Sequence, residues 1–478
     1  MSTNAMETPS LEEKQDNRPS PDDLINFLPY ACGQYQMGKP IIFTKIVQNE
    51  YISLATDRNK NKSRMKQNIS KYDIGSTDGK DKSSAGISQY TNRQNAIWIT
   101  AYTDVIGNIV ELKFNKNSHI PSLLFLTMAL VIKYQIYLTK ITINRGLDQY
   151  TIYEMNKCVK ISHITEVNLD DTFFLQANYD ILLDGPNNIR YLSLARCRIN
   201  DKVLKNISEK LAYPLPASKI LSVLILSSNR ITDNGVAYLA ESLRSNRQLS
   251  YINLADNTLT DDGACLILDS LQSFVLTQEE ILAEKSRHLQ FFKDKNDMIV
   301  EMVKELRTGD FDKKVTKKKN VRPVPVQATK KGKLEKESSI KSLDAKSSPN
   351  FDFMFYDKAV DMVEEKLGDY NDPFSLFNTK LEDGLKYCRG NNAVAYLNLA
   401  YNNVSYLTLK KLLNVLLYQK LLDRKPRGLV NVCVDGNALP MYCKEMCEID
   451  EILEMGLMSM DRRMSMYKKR PGSKTTPR

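Results

Sequence analysis

The sequence predicts an α/β solenoid, a stack of strand–turn–helix units interrupted by a long, partly disordered insertion. Three observations predict it. The pattern LxxLxLxxNxI/L recurs along the chain, a helical spacing of apolar residues follows its best copies, and one interval between copies jumps from about 28 residues to 145.

Three copies are plain. Ile189, Leu192 and Leu194 lead to Cys197 in the Asn place and Ile199; Leu221, Leu224 and Leu226 lead to Asn229 and Ile231; Leu249, Ile252 and Leu254 lead to Asn257 and Leu259. The LxL pair puts two side chains on one face of a short strand. The Asn then turns inward, where its amide satisfies backbone groups that the turning chain leaves unpaired. The segments TDNG (Thr232–Gly235) and TDDG (Thr260–Gly263) supply residues that cap a helix, and Val236, Leu239 and Leu243 continue at helical spacing. One unit buries about five such side chains at about 1.5–3 kcal/mol each. Ordering its backbone costs about 1–2 kcal/mol for each of roughly 28 residues. A unit therefore folds only by sharing a core with its neighbours.

The register extends in both directions. Val394, Leu397, Leu399, Asn402 and Val404 make an equally good copy, and Leu429, Val432, Val434, Asn437 and Leu439 a weaker one. Asn229, Asn257, Asn402 and Asn437 are thus expected to form a structural Asn ladder. Upstream, Ile164, Val167 and Leu169 fit with Thr172 in the Asn place. Leu138, Ile141 and Ile143 fit loosely, and Ile109, Leu112, Phe114 and Asn117 are read as the start of the array. Spacings of 29, 26, 25, 32 and 28 residues from Leu112 to Ile252 leave room for a full helix in each unit.

The stretches LSSNRITDNGVAYLAESL and LADNTLTDDGACLILDSL resemble the ribonuclease-inhibitor-like family of leucine-rich repeats. The resemblance covers Ile189–Leu271 and Val394–Leu439, and Cys197 and the loosely patterned N-terminal third depart from it. It implies a right-handed horseshoe with a parallel inner sheet and outer helices, whose members bind proteins on the concave face. A lysine-rich insertion splitting the array and the late repeat YLNLAYNNV are shared with family members expected in the ciliary or flagellar axoneme. A GTPase-activating or other regulatory leucine-rich repeat protein is the alternative, although such activators carry an acidic tail where this tail is basic. An innate-immune receptor would need a nucleotide-binding domain before the repeats.

The expected organisation is a disordered tail at 1–25, a partly disordered flanking region at 26–108, repeats at 109–271, the insertion at 272–392, repeats again at 393–445, and a helix with a basic disordered tail at 446–478. Within the insertion a heptad pairs Leu282, Leu289, Asn296 and Val303 with Lys285, Phe292, Ile299 and Leu306, which predicts a helix over 278–307. It reads either as a coiled-coil contact or as a long helix lying along the solenoid. Lys313 to Lys346 holds twelve Lys or Arg against three acids, so 308–350 is expected to be disordered. Such a tract reads either as a contact for an acidic surface, such as tubulin tails, or as a solvated linker. The segment 351–387 mixes acids with Phe351, Phe353, Phe355, Tyr356, Phe374 and Phe377 and is read as docking back onto the solenoid.

In each strand the residues flanking the buried Leu point to the concave surface: Tyr191, Ser193, Val223, Ile225, Tyr251, Asn253, Tyr396 and Asn398, with Glu166 and Asn168 upstream. Tyr and Asn offer large contact area and adaptable hydrogen bonds, the chemistry of interfaces, although strand-favouring residues are also common there. These eight are the expected contacts for a protein partner of unknown identity.

Composition narrows the remaining classes. A hydrophobic fraction of 42% supports a substantial core, while 26% charged residues and a mean hydropathy of -0.39 suit a soluble protein. The net charge of +10 lies mostly outside the repeats, and no zinc finger, helix-turn-helix or RNA-binding aromatic motif supports sequence-specific nucleic-acid recognition. The apolar stretch from Ser118 to Ile132 contains Pro121 and falls short of the about 20 residues a membrane span needs, so a buried helix is expected. Met1–Asp23 carries acids and Pro where a signal peptide's apolar region belongs, which predicts a cytoplasmic protein with free cysteines. Cys433, Cys443 and Cys447 lack metal-ligand spacing, and with three histidines and no P-loop, GxSxG or HExxH motif the sequence predicts neither enzyme, cofactor nor metal site.

Overall fold

A computed structural model describes residues 18–48, 96–115, 117–307, 349–440 and 442–468. Its strands are β1 (Ile41–Val47), β2 (Ile97–Thr103), β3 (Ile109–Phe114), β4 (Lys140–Ile143), β5 (Glu166–Asn168), β6 (Tyr191–Ser193), β7 (Val223–Ile225), β8 (Tyr251–Asn253), β9 (Phe274–Val275), β10 (Thr379–Glu382), β11 (Leu385–Cys388), β12 (Tyr396–Asn398) and β13 (Asn431–Cys433). Ten of them join in the order β1-β2-β3-β4-β5-β6-β7-β8-β12-β13. The chain divides into two units: residues 1–274 with 389–478, which hold this sheet, and Val275–Cys388.

The repeat pattern sets the register. Leu112, Ile141, Val167, Leu192, Leu224, Ile252, Leu397 and Val432 pair strand to strand in one continuous row. From Leu112 to Leu397 every member is 0% exposed. The next inward position gives a second buried row, in which Phe114, Ile143, Leu169, Leu194, Leu226, Leu254 and Leu399 meet the helices behind the sheet. Those helices include Gln149–Lys160, Asp201–Leu211, Asp233–Ser245, Asp261–Ser270 and Tyr406–Leu422. The side chains of Asp148, Asn200, Thr232, Thr260 and Ser405 accept a backbone N–H in their first turns, satisfying donors that helical geometry leaves orphaned.

β8 pairs directly with β12 although 145 residues separate Ile252 from Leu397. Asn391 Nδ2 also donates to Leu243 O and Asn246 O, at 2.8 and 2.9 Å, across the same break. Trypsin acting between Lys313 and Lys346 is therefore expected to leave two fragments that co-elute on a sizing column. Separate elution would show that the array is not continuous there.

The N-terminal end differs from the sequence expectation. The sheet begins at β1 rather than at Ile109, and it is not wholly parallel, because β2 and β3 pair antiparallel. Only the turn Asp104–Asn108 links them, too short for the crossover that parallel strands require. The Asp104 carboxylate holds that turn by accepting the backbone N–H groups of Ile106, Gly107 and Asn108. A helix at Leu24–Gln34 starts inside the segment read as a tail, since Asp23 caps it and Leu24 and Leu28 are fully buried. Residues 1–17 and 49–95 lie outside the described residues. The apolar stretch after Ser118 forms the helix Ser122–Ala129, with Leu124, Phe125 and Met128 buried. Among the described residues no helix is long and apolar enough to cross a membrane.

The inserted unit carries two long helices, Gln278–Arg307 and Pro349–Leu367, and the antiparallel hairpin β10–β11. Only the second half of the heptad is covered. Ile299 and Leu306 pack with Ala359 and Val363, and Lys295 Nζ meets Glu364 Oε1 at 2.7 Å. Leu282, Leu289 and Phe292 stay 63%, 63% and 53% exposed. Within this unit the aromatic segment supplies core: Phe355 packs beside Ile299, and Phe374 is buried. Asp372, 0% exposed, receives Arg287 Nε and Nη2 at 2.7 and 3.2 Å, Tyr370 Oη at 3.2 Å and Phe374 N at 2.9 Å. His288 stacks on Tyr370 alongside. The basic tract Lys313–Lys346 and its tubulin-tail reading fall outside the described residues, as does the tail after Lys468.

Candidate functional site

The sheet face turned away from the helices is held in shape by three polar ladders, and each is built from a repeating residue.

The first is the Asn ladder. Asn229 Oδ1 accepts Cys197 N and Ile199 N at 3.0 Å, while its Nδ2 donates to Leu194 O and Leu226 O at 2.9 Å. Each amide thus ties the backbone of its own turn to that of the preceding one. Asn257 bonds Ile231 N, Leu226 O and Leu254 O. Asn402 bonds Asn257 N, Leu259 N, Leu254 O and Leu399 O, and Asn437 bonds Asn402 N, Val404 N, Leu399 O and Val434 O. The residue before each rung has positive φ: Asp171, Arg196, Ser228, Asp256, Tyr401 and Gly436. That left-handed residue turns the rung inward. Cys197 serves in the Asn place by donating its Sγ–H to Leu169 O at 3.1 Å. Burial pushes its thiol up to about 11, so it is not a reactive cysteine at neutral pH.

The second ladder was not anticipated. Asp201 accepts both Thr232 N and Thr232 Oγ1, Asp233 accepts Thr260 N and Oγ1, and Asp261 accepts Ser405 N and Oγ. Each helix-opening acid therefore binds the capping residue of the next repeat. Burial alone pushes the Asp261 carboxyl up, but the Ser405 and Thr408 hydrogen bonds outweigh it and its pKa is lowered. The Gly of TDNG and TDDG now has a reason: a Cβ on Gly235 or Gly263 would overlap the carboxylate of Asp201 or Asp233. Gly235→Ala is expected to destabilise the protein by about 1–3 kcal/mol through this clash, despite the better helix propensity of Ala. Urea denaturation checks it, and a neutral or stabilising result would remove the carboxylate's role.

The third ladder lies before the strands. Asn187, Asn246 and Asn391 are buried, and each donates to a backbone carbonyl while accepting an N–H two residues on. An Asn two or three residues ahead of the first repeat Leu, Ile or Val is a legible signal that the sequence reading passed over.

Of the eight residues expected on the open face, seven are accessible in part. Tyr191, Val223, Tyr251 and Tyr396 lie side by side on β6, β7, β8 and β12, followed in the next row by Ile225, Asn253 and Asn398. Ser193 is the exception and corrects the expectation. It is 1% exposed because its Oγ donates to Asp170 Oδ1 at 2.5 Å. Tyr251 and Tyr396 stack with ring centroids 4.0 Å apart and planes within 6°. Burial, with help from the neighbouring Tyr396 hydroxyl, pushes the Tyr251 phenol up to about 12, so that ring stays a neutral donor at physiological pH. Asn253 and Asn398 turn back to the backbone N–H of Ala255 and Ala400. Upstream the face becomes charged: Lys140 lies 4.0 Å from Glu111 and 3.7 Å from Glu166.

The Leucine Rich repeat family model matches residues 218–240 and 245–267, the units of β7 and β8 with their turns and helix starts. No curated protein matches the chain. The matched segments support a leucine-rich repeat protein, and repeats of this kind are generally protein-interaction modules.

Proposed function

We propose that the protein is a non-catalytic scaffold that holds a partner protein on the concave face, with Tyr191, Val223, Ile225, Tyr251, Asn253, Tyr396 and Asn398 as contacts. The observation that carries this reading is the row of three tyrosines and one valine on four adjacent strands, partly exposed and in register across one sheet. Large rings on a rigid sheet lose little conformational freedom on binding, which is why such side chains dominate interface energetics. The setting we propose is the axoneme, on the strength of the family resemblance. Changing Tyr191, Tyr251 and Tyr396 together to Ala is expected to reduce partner recovery at least about tenfold in a pull-down from ciliated cells, with the circular dichroism unchanged. Undiminished recovery would exclude the concave face.

A further inference from the structure

Ile164 and Ile189 open two successive repeats and are 0% and 1% exposed. Alternation therefore turns the residues on either side of each one outward. His163 and Thr165 flank the first, and Asn188 and Arg190 flank the second. These four, with Ile220 of the following repeat, line a cavity of about 340 Å³. That volume is at the small end of the about 300–1,000 Å³ usual for ligand sites.

The backbone at this place does not call for an arginine. Arg190 O accepts Ser222 N and Val223 N, just as Thr139 O accepts Thr165 N and Glu166 N, and Ser222 O accepts Ser250 N and Tyr251 N. The corresponding place in the other repeats holds an uncharged residue, as at Thr139, Thr165, Ser222, Ala395 and Val430. Arg190 alone puts a charge there, and that charge is not cancelled. Other basic side chains of these repeats meet carboxylates: Arg196 meets Asp171, Lys210 meets Asp184 at 2.7 Å, and Lys140 lies 3.7 Å from Glu166. Among the described residues no carboxylate lies within ion-pair distance of Arg190, and no acid lines the cavity.

The remaining lining supplies donors. His163 is exposed and carries a ring N–H in either protonation state. The Thr165 hydroxyl reaches Thr139 O only at 3.5 Å, a bond at the edge of its range that is readily exchanged for a better acceptor. Asn188 Nδ2 donates to Ser162 O at 3.2 Å, which fixes that wall to the preceding repeat. Glu166 pairs with Tyr191 across β5 and β6, so Thr165 and Arg190 stand abreast on strands about 4.8 Å apart.

We propose that this cavity binds a phosphate monoester, its oxygens received by Arg190, Thr165 and His163 and its organic stem lying against Ile220. A phosphoryl group carries about 1.5–2 negative charges and three strong acceptor oxygens, and the planar fork of arginine takes two of them at once. The third is then free for a donor on the neighbouring strand. A carboxylate has only two oxygens and one charge to offer the same donors. The site is separate from the tyrosine row, and the ester belongs either to a phosphorylated side chain of a partner protein or to a small phosphorylated molecule.

The test titrates the full chain with N-acetyl-phosphoserine amide, glycerol 3-phosphate, N-acetyl-serine amide and N-acetyl-aspartate amide, and follows the ring signals of its three histidines by NMR. Both phosphate esters are expected to shift His163, which is assigned by its loss in His163→Gln, and to leave His119 and His288 in place. Arg190→Gln is expected to weaken the esters about tenfold, with His119 and His288 unchanged as the report that the fold is intact. Lys293→Gln, which removes an equal charge in the inserted unit, leaves their binding as it was. Tighter binding of phosphoserine assigns the ester to a partner protein, and tighter binding of glycerol 3-phosphate assigns it to a small molecule. No shift at His163, equal shifts at all three histidines, equal binding of the serine or aspartate compound, or an Arg190→Gln variant that binds as well as the native chain would each overturn the proposal.

Discussion

Replacing Asn402 with Ala is expected to destabilise the repeat unit by about 3 kcal/mol or more, the largest single effect of any ladder residue. Its amide is buried and bonds Leu254 O and Leu399 O at 3.0 Å and Asn257 N and Leu259 N at 3.2 Å. Truncation leaves these backbone groups buried without their partner, and each such group costs about 1–3 kcal/mol. Asn402 is also the rung that joins the chain on either side of the insertion. Asn437 makes the same bonds at the half-exposed end of the array, where water replaces the lost amide. Asn437→Ala is therefore expected to cost only about 1 kcal/mol. Urea denaturation of the two variants measures the difference, and equal losses would mean that the hydrogen bonds are not what the position supplies.

Asp372→Ala is expected to unfold the inserted unit while the ten-stranded sheet persists. The substitution takes from Arg287, 20% exposed, a carboxylate that is fully buried, and removing one partner of such a pair costs about 3–5 kcal/mol. It also strips Phe374 N of its acceptor and Tyr370 Oη of one partner. Among the described residues of the unit the apolar cluster centres on Ile299, Leu306, Ala359 and Val363, a small core to set against that loss. Hydrogen exchange reads it directly. Amides of 278–307 and 355–388 lose protection, and those of β6, β7 and β8 keep it. Adding Arg287→Leu recovers part of the protection, because the charge that faced the lost carboxylate is then gone. Unchanged exchange in Asp372→Ala would show that the ion pair is incidental.

The repeats were legible for a local reason. In LxxLxLxxN each residue type answers a requirement of its own turn, so the pattern shows wherever the requirement is met, and Leu192, Leu224, Ile252 and Leu397 fall in one row. β1 and β2 were missed because IIFTKIV and IWITAYT form strands without an Asn rung or a following cap. Such segments announce a strand but not its membership of an array. The heptad at 278–307 was legible as a helix, but which part of it finds a partner was not: only its second half packs on the helix Pro349–Leu367. Ser193 was placed by strand alternation, which gives the direction of a side chain but not what lies over it. Asp170 lies over it.

By itself the sequence determined the repeat unit, its register and the identity of the residues alternating along each strand, because these follow from side-chain periodicity within a few residues. Only the tertiary structure decided which of those residues meet. Tyr251 and Tyr396 are 145 residues apart and touch because β8 takes β12 as its neighbour. Asp201, Asp233 and Asp261 each hold the capping residue of the next helix because the repeats stack at one spacing. Contacts between repeats depend on stacking distance, and no pattern inside a single repeat encodes them.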